Sequence, residues 1–375
     1  MNSQRVLIVP DKFKGTLSAE AVAKSIARGW KQSRPKDRVE QLPMSDGGDG
    51  FGEIISRLLG ARRQTIATVN AAHEPIEASW WWEPETKTAI IESAKVIGLA
   101  LLPRGKFHPF QLDTFGLGAV LQAAAQKGAR RCLIGIGGSA TNDGGFGMAR
   151  ALGWQFLDRL DQPITRWTGL PALARMEPPR KKKLFPKLTV AVDVQNVLLG
   201  ARGCSRVYGP QKGLQPGDFA AAESALRRLA SVAAKTLKQD FLKTPGAGAA
   251  GGLGFGLMTF AGAEPESGFE IFARHSKLQN LIRQSDVVIT GEGAIDRQTL
   301  MGKGVGAVAT LAAEQGVPCL ALAGHVEDPK KAAKLFKDVR GLTGLVSPEE
   351  AMRRPEPLLQ QLAAQLARDL ANRNA

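Results

Sequence analysis

An apolar strand that runs into a glycine-dense polar loop and then into a helix constrains this chain more than any other feature. Residues 131–148 read RCLIGIGGSATNDGGFGM, with an apolar run at 132–134 and a helix-like segment at 146–152. Glycine lets a backbone approach a ligand closely and adopt positive φ, and a helix N-terminus directs free N–H groups at an anion. The segment therefore predicts an anion-binding loop, and a tight strand-to-helix turn with incidental glycines is the alternative.

The same order of strand, polar loop and helix recurs near both ends of the chain. Strands are predicted at 5–9, 39–42, 286–290 and 318–321, and helices at 19–31 (with Ser18 as N-cap), 305–314 and 357–372. This alternation is typical of a parallel sheet whose loops gather at the carboxyl ends of the strands. Three closely spaced strands, at 64–69, 76–82 and 88–91, instead favour an antiparallel or mixed sheet.

These two patterns, in a chain of 375 residues, predict two α/β domains. We expect residues 1–64 plus 284–375 to form a Rossmann-like, parallel-sheet domain from both chain ends, and residues 65–283 to form an inserted mixed-sheet domain. Residues 244–256, TPGAGAAGGLGFG, are predicted as a further glycine loop, and the proline-rich segment 171–187 as a surface connection.

The charge and cysteine content exclude several classes of protein. The net charge is +15, but the lysines and arginines are spread along the chain, and the only dense run, 180–183, is predicted to be a solvated loop. With a single tyrosine and no aromatic residues interleaved with basic ones, no nucleic-acid partner is expected. Cys132, Cys204 and Cys319 lack CxxC spacing, so they are predicted to be buried thiols of a reducing compartment.

The ends and apolar runs of the chain give no sign of export or membrane insertion. The N-terminus enters a strand directly and lacks the apolar region of a signal peptide, and no apolar run is long enough to cross a bilayer. We therefore expect a cytoplasmic protein with no membrane partner.

The glycine loops are compatible with more than one nucleotide-binding chemistry. No GxxxxGK[ST] motif exists, which excludes an ordinary P-loop. Residues 135–140 match the GxGxx[GA] fingerprint of dinucleotide-binding enzymes, and Asp158 follows a strand-like segment about 20 residues on. A dehydrogenase is therefore an alternative, although the continuation TNDGG delays the helix beyond that fingerprint. A second match, at 246–251, has no clear strand before it.

Acidic and basic residues recur on the predicted strand-to-helix loops. Phosphoryl transfer needs such groups, because cations neutralise the phosphates and a carboxylate orients or deprotonates the acceptor hydroxyl. The residues in question are Asp11, Lys12, Lys14, Asp46, Asp49, Asp143, Asp193, Lys212, Glu292, Asp296 and Lys303.

From about residue 5 to residue 350 the chain resembles the class I glycerate kinase family. Eight ordered blocks carry the resemblance: VPDKFKGTLSA (9–19), PMSDGGDG (43–50), IESAKVIGL (91–99), GIGGSATNDGGFGMARALG (135–153), DVQNVLLG (193–200), YGPQKG (208–213), PGAGAAGGLGFG (245–256) and VVITGEGAIDRQTLMGKGV (287–305). The resemblance implies phosphorylation of D-glycerate with ATP and Mg²⁺, usually to 2-phosphoglycerate. It also implies two α/β domains with the active site in the cleft, and a monomer or homodimer.

The resemblance suggests a role for each candidate site residue. Lys14 and Ser18 would bind the substrate carboxylate or the transferring phosphoryl group, and Asp193, with Asp296 as the second choice, would be the base at the acceptor hydroxyl. Asp46 and Glu292 would hold Mg²⁺ or a ligand hydroxyl, and which residues bind metal stays open. The nucleotide phosphates would be surrounded by Gly137, Gly138, Ser139, Thr141 and Asn142.

The chain also departs from the family pattern at five positions. The family usually has Ala at Ser45, Glu at Asp49, Thr at Phe51, Pro at Val197 and Arg at Ala294. The missing guanidinium at 294 matters most, because arginine binds phosphates and carboxylates through two parallel hydrogen bonds. Arg297 substitutes for it if both positions lie on one face. A non-catalytic metabolite-binding homologue is therefore a further alternative.

Overall fold

The computed structural model describes residues 3–180 and 183–373. Lys181 and Lys182, in the middle of the basic run, lie outside the described residues, while the flanking Arg180 and Lys183 are exposed. No helix within the described ranges is both long and apolar enough to cross a membrane.

The described chain contains strands and helices in alternating groups. The strands are β1 Arg5–Pro10, β2 Arg38–Gln41, β3 Arg62–Val69, β4 Pro75–Glu83, β5 Thr88–Glu92, β6 Arg131–Gly135, β7 Gln155–Leu157, β8 Arg175–Glu177, β9 Lys187–Ala191, β10 Glu264–Glu266, β11 Val287–Ile295, β12 Cys319–Val326 and β13 Asp338–Gly341. The helices are α1 Ala19–Ser33, α2 Phe51–Leu59, α3 Ala94–Ile97, α4 Phe115–Gln126, α5 Phe146–Ala151, α6 Cys204–Tyr208, α7 Phe219–Leu237, α8 Ala249–Ala261, α9 Gly268–Ser276, α10 Leu278–Arg283, α11 Arg297–Leu300, α12 Val305–Glu314, α13 Pro329–Ala332, α14 Pro348–Arg353 and α15 Pro355–Arg373.

The chain divides into two compact α/β units. The first unit contains residues 1–46 and 269–375, and the second contains residues 47–268. The division predicted from the sequence places both boundaries later in the chain, after residue 64 and after residue 283. Helix α2, which the sequence grouped with the chain ends, belongs to the second unit because its Gly52 packs directly on Trp81 of β4.

The first unit is built on a five-stranded parallel sheet in the order β13-β12-β11-β1-β2. Helices α1 and α15 pack together on it, and Trp30 of α1 is fully buried with its indole N–H donating to Asp37 at 2.9 Å. The predicted N-cap is confirmed, because Ser18 Oγ accepts the N–H of Ala21 at 3.2 Å. Since β1 and β11 run in parallel, the loops after both strands lie at one edge of the sheet.

The second unit is built on a six-stranded mixed sheet in the order β10-β9-β6-β5-β4-β3. Strands β3, β4 and β5 are antiparallel neighbours, as their close spacing in the sequence predicted, and β5, β6 and β9 are parallel. Gly135 of β6 is in register with Glu92 of β5 and Ala191 of β9. The polar segments that follow these three strands therefore begin at the same edge of the sheet.

Three local predictions are wrong. The glycine loop predicted at 244–256 extends only to residue 252, where the left-handed backbone of 250–252 ends; from residue 253 the chain is helical to the end of α8, and Gly254 and Gly256 pack against backbone there. Strand β11 continues to Ile295, through residues predicted as a loop, because they pair with β12. The expected surface connection after residue 171 contains β8, which pairs with β7.

Candidate active site

In the first unit, the candidate site is a group of carboxylates at the carboxyl end of β11. Glu292 is mostly buried there, and its Oε1 accepts the hydroxyl of Thr299 at 2.6 Å. The pKa of Glu292 is raised to about 8, mainly by burial and also by the carboxylates of Asp11, Asp296 and Asp46, while the hydroxyl of Thr299 opposes the shift. The structure thus brings together Asp46, Glu292 and Asp296, which were predicted as site residues from two separate motifs, 43–50 and 287–305.

Asp296 also has a structural role at the start of α11. Its Oδ1 accepts the N–H groups of Gln298 at 2.7 Å and Thr299 at 3.3 Å, which makes it the N-cap of that helix. The predicted Arg297 is the first residue of the same helix and is exposed. One of the two carboxylate oxygens of Asp296 is therefore engaged with backbone donors.

The loop after β1 carries Lys14 on an exposed turn. Phe13 N donates to Leu17 O at 2.9 Å, and Gly15 between them has left-handed backbone, with φ +81°. The turn lies against β11, because a Cβ at Gly293 would approach Lys14 N to 3.2 Å. Lys14 is thus held beside the strand that carries Glu292, and the exposed Ser18 lies one turn further on as the cap of α1.

In the second unit, three glycine-rich motifs interlock around the loop that follows β6. A Cβ at Gly137 would lie 2.5 Å from Gly48, and one at Gly138 would lie 2.0 Å from a carboxylate oxygen of Asp49. On the other side of the loop, a Cβ at Gly251 would lie 1.9 Å from the carbonyl oxygen of Thr141. Close backbone packing therefore accounts for much of the glycine content.

Asp143 fixes the conformation of this loop. Its Oδ2 accepts the N–H and the hydroxyl of Thr114, at 3.0 and 2.7 Å, and the N–H of Gly147 at 2.8 Å. The pKa of Asp143 is raised to about 6, mainly by burial and also by the nearby Asp113 carboxylate, while the Gly147 and Thr114 donors oppose the shift. Asp143 thus ties the starts of α4 and α5 together.

Several hydrogen-bond donors of the loop remain available for a ligand. Within residues 3–180 and 183–373, no acceptor contacts the backbone N–H groups of Gly138, Ser139, Asn142 and Asp143. Ser139, Asn142 and Asp143 are buried, whereas Gly138 is exposed. The hydroxyls of Ser139 and Thr141 lie 2.9 Å apart. Four N–H groups of the predicted phosphate-binding loop are therefore without an acceptor among the described residues, whereas those of Gly137, Ala140 and Thr141 are engaged within the protein.

Asp193 follows β9 at the same edge of the sheet. Its Oδ1 accepts the hydroxyl of Ser267 at 2.5 Å. Ser267 was missed in the sequence, since nothing local distinguishes it from other loop serines. Asp193 belongs to the second unit, whereas Lys14 and Asp296, the other predicted catalytic residues, belong to the first.

Glu92 is a further buried acid that sequence reasoning did not select. Its two oxygens accept the N–H groups of Gly50 and Gly52, both at 3.0 Å, at the start of α2. Burial raises its pKa, against the opposing effects of these two donors and Lys95. The signal for this role is its place at the end of β5, in the block 91–99.

The protein side chains alone do not form a closed metal cage. Among the described residues, no three His, Cys, Asp or Glu side chains are grouped closely enough to ligate one ion. Mg²⁺ usually keeps several waters and takes one or two carboxylates together with substrate phosphates. The carboxylates around Glu292 fit that requirement, because a cation would relieve the repulsion that raises its pKa.

The dinucleotide fingerprint does not have its expected structural context. The strand before Asp158, β7, pairs with β8 in a separate two-stranded sheet. Asp158 accepts the N–H groups of Leu160 and Gln162 within the turn between these strands. A dinucleotide-binding unit would place this acid after a strand beside β6, so the geometry argues against the dehydrogenase alternative.

Comparisons with known proteins agree with the resemblance seen in the sequence. A model of the glycerate kinase family matches residues 6–371. The chain is 36% identical over 370 residues to a glycerate kinase from Halalkalibacterium halodurans, covering 96% of this chain and 97% of that one. It is 39% identical over 330 residues to the glycerate 2-kinase of Escherichia coli K12, covering 86% of each.

A solved structure extends the agreement to the fold. The crystal structure assigned as a glycerate kinase 2 from Salmonella typhimurium LT2 has a TM-score of 0.83 and 32% sequence identity, with 100% of both chains covered. The two α/β units and their sheets are therefore those of a known enzyme fold. The chain belongs to the glycerate kinase family, whose members are phosphotransferases with an alcohol group as acceptor.

Proposed function

We propose that this protein phosphorylates D-glycerate with ATP and Mg²⁺, giving 2-phosphoglycerate and ADP by direct transfer to the substrate hydroxyl. The observation that carries the proposal is the set of backbone N–H groups at Gly138, Ser139, Asn142 and Asp143 that lack acceptors among the described residues. Successive N–H groups on a loop that leads into a helix are well suited to phosphate oxygens. The loop thus supports binding of the nucleotide phosphates.

Glu292 is the proposed carboxylate for Mg²⁺, with Asp46 as its partner. Burial and, to a smaller extent, the neighbouring carboxylates raise the pKa of Glu292, and a bound divalent cation would favour its ionised form. The ion would supply positive charge to the phosphoryl group during transfer. Glutamate at this position would orient the ion, and Thr299 holds that side chain in place through its hydroxyl.

Asp193 is the proposed general base and Lys14 the proposed cation for the substrate. The hydroxyl of Ser267 donates to Oδ1 of Asp193, and this hydrogen bond fixes the orientation of the whole carboxylate. Asp296 is the weaker candidate, because it caps α11. Lys14 and Ser18, with Arg297 in place of the arginine absent at position 294, are proposed to bind the glycerate carboxylate or the transferring phosphoryl group.

The product of the reaction tests this proposal directly. We expect purified protein, incubated with D-glycerate, ATP and Mg²⁺, to release ADP and to form 2-phosphoglycerate, identified by ³¹P and ¹³C NMR. Parallel incubations with NAD⁺ or NADP⁺ in place of ATP test the dehydrogenase alternative by absorbance. Formation of 3-phosphoglycerate would contradict the proposed regiochemistry. Glycerate binding without ADP formation would instead support a non-catalytic homologue.

A further inference from the structure

His325 lies at the carboxyl end of β12, beside Ala294 of β11. The two residues are in register on neighbouring parallel strands, so their side chains start about 5 Å apart on the same face of the sheet. Glu292 is in register with Ala323, two residues earlier on both strands, and therefore shares that face. His325 and Ala294 are both exposed. The imidazole thus lies at the open edge of the sheet, on the face that carries Glu292.

The ring of His325 is held through one nitrogen, and the other is left for a ligand. Its Nδ1 lies 3.0 Å from the hydroxyl of Thr343, in the short 3-10 turn Leu342–Gly344 that follows β13. A hydroxyl can donate as well as accept, so this hydrogen bond is compatible with a ring that carries a proton on Nε2. Within the described ranges, Nε2 has no hydrogen-bond partner and no ion pair. The ring is therefore oriented and retains one donor.

Position 294 is one of the departures from the family pattern, since alanine stands there instead of arginine. Strand β1 has already ended at the level of Ala294, because its last residue, Pro10, is in register with Gly291. Of the two strands that flank β11, only β12 reaches this level, and the residue that it places there is His325. The sheet thus brings a hydrogen-bond donor next to the position that lacks one.

The carboxylates at this edge make such a donor necessary for an acidic substrate. Asp11, Asp46 and Asp296 lie close enough to act on Glu292, and an incoming carboxylate would add a further negative charge to this group. Like charges a few ångströms apart repel, so binding requires donors on the protein that offset the repulsion. Ligands of open parallel sheets bind outside the carboxyl ends of the strands, which is where His325 lies.

We infer that Nε2 of His325 binds the carboxylate of the hydroxy-acid substrate, and that His325 thereby compensates for the arginine absent at position 294. A guanidinium at 294 and an imidazole at 325 start from adjacent points on one face, so both reach the same space at the edge of the sheet. The inference rests on the proposed function for the identity of the acid. It adds His325 to the proposed set of Lys14, Ser18 and Arg297, and it gives His325 no part in the transfer of the phosphoryl group.

Steady-state kinetics of His325→Ala test this role. Loss of a hydrogen bond to a charged group should raise KM for D-glycerate by about tenfold, whereas KM for ATP and kcat should stay within about twofold of the wild-type values. His325→Gln keeps an N–H donor on a side chain of similar reach and should retain most of the affinity. His108→Ala is the matched control, because it removes a partly exposed histidine of the second unit that also has a side-chain hydrogen bond.

Ala294→Arg in the His325→Ala background is the decisive variant. A guanidinium on the neighbouring strand should return KM for D-glycerate to within about threefold of the wild-type value, and it would not repair a merely structural loss. Thr343→Val, which removes the hydroxyl that holds the ring, should raise the same KM by a smaller factor than His325→Ala does. Circular dichroism checks that each variant is folded.

Calorimetric titration with D-glycerate in the absence of ATP separates this inference from the proposed function. About tenfold weaker binding to His325→Ala, in a protein that forms no ADP, would retain the inference and contradict the proposed reaction. The inference would be overturned by unchanged glycerate affinity in folded His325→Ala, or by an effect on ATP alone. A double variant that Ala294→Arg does not rescue, or a wild type that does not bind D-glycerate, would overturn it as well.

Discussion

The carboxylate group around Glu292 and the glycine loop after β6 differ in the polar groups that they bring together. Both follow the end of a parallel strand and both contain glycine and an acidic residue. Around Glu292, the carboxylates of Asp11, Asp46 and Asp296 lie near a mostly buried acid that accepts the hydroxyl of Thr299. In the loop, the buried Asp143 has several donors, and a buried lysine lies close by. The first region thus gathers carboxylates, and the second gathers hydrogen-bond donors.

This difference gives a physical reason for the division of labour that the family resemblance suggests. A divalent cation would remove the repulsion in the carboxylate group, and a phosphate would satisfy the donors of the loop. If so, substitutions in the carboxylate group and in the loop should have different effects.

The largest expected effect is a fall in kcat on replacing the catalytic base. The two candidates for that base, Asp193 and Asp296, lie in different units. Asp193→Asn should lower kcat by about 1,000-fold with little change in KM for ATP, as expected for loss of a general base. Asp296→Ala should mainly weaken the cap of α11, at about 1 kcal/mol of stability. Steady-state kinetics and thermal unfolding of both variants distinguish the roles. A full kcat in Asp193→Asn would remove it from catalysis and point to Asp296.

The packing of the glycine loop predicts a large loss of stability in Gly251→Ala. The new Cβ would lie 1.9 Å from a backbone oxygen, at a position where φ is +70°. Left-handed strain and a clash with backbone should together cost about 3 kcal/mol or more. Gly262→Ala is the matched control, since its φ is +68° with no atom within 4 Å, and it should cost about 1 kcal/mol. Urea unfolding measures both, and similar losses would mean that packing at Gly251 is unimportant.

The buried Asp143 predicts a pH dependence of stability with an unusual sign. Its pKa is raised from 3.8 to about 6, so its contribution is fully present below about 3.8 and is lost as the pH rises through 6. The free energy of unfolding of wild type, relative to Asp143→Asn, should therefore fall by on the order of 3 kcal/mol between about pH 4 and pH 7. Urea unfolding of both proteins at several pH values measures this difference. A difference that rises with pH would indicate an ordinary, charge-stabilised carboxylate.

The smallest effect is expected at Ser45, just before the carboxylate Asp46. The Ser45 side chain is buried, and its hydroxyl has no hydrogen-bond partner among the described residues. Ser45→Ala removes this unsatisfied group and should leave stability unchanged or raise it by up to about 1 kcal/mol. Ser25→Ala, at another buried serine of the first unit, serves as a comparison. A clear loss of thermal stability in Ser45→Ala would show that the hydroxyl has a partner.

Local patterns predicted the parts of the fold that depend on neighbouring residues. Ser18 as a helix cap and the short strands after residue 62 follow from local chemistry and spacing. Local patterns did not predict helix α8, because glycine disfavours a helix. Close packing against neighbouring backbone requires glycine in this helix. Tertiary contact overrides intrinsic preference in such a segment.

In the candidate site, too, the residues of local motifs could be predicted and the long-range contacts could not. The acids and glycines that end the strands could be selected from their motifs, because parallel strands bring their carboxyl ends together. Ser267 and the burial of Lys212 could not, since each depends on contact with a residue about 70 positions away in the chain, at 2.5 and 2.7 Å. Neither arrangement can be read from composition, because each depends on which side chains the fold brings together.

The division of labour is tested most directly by the affinity for ADP with and without Mg²⁺. Calorimetry on wild type, Glu292→Gln and the control Glu314→Gln, an exposed acid of the same unit, gives the dissociation constants. We predict equal Mg²⁺-free affinity in all three proteins, with Mg²⁺ strengthening binding by about tenfold in wild type and the control. In Glu292→Gln this strengthening should be lost. Loss of Mg²⁺-free binding in Glu292→Gln, or full retention of the Mg²⁺ effect, would contradict the account.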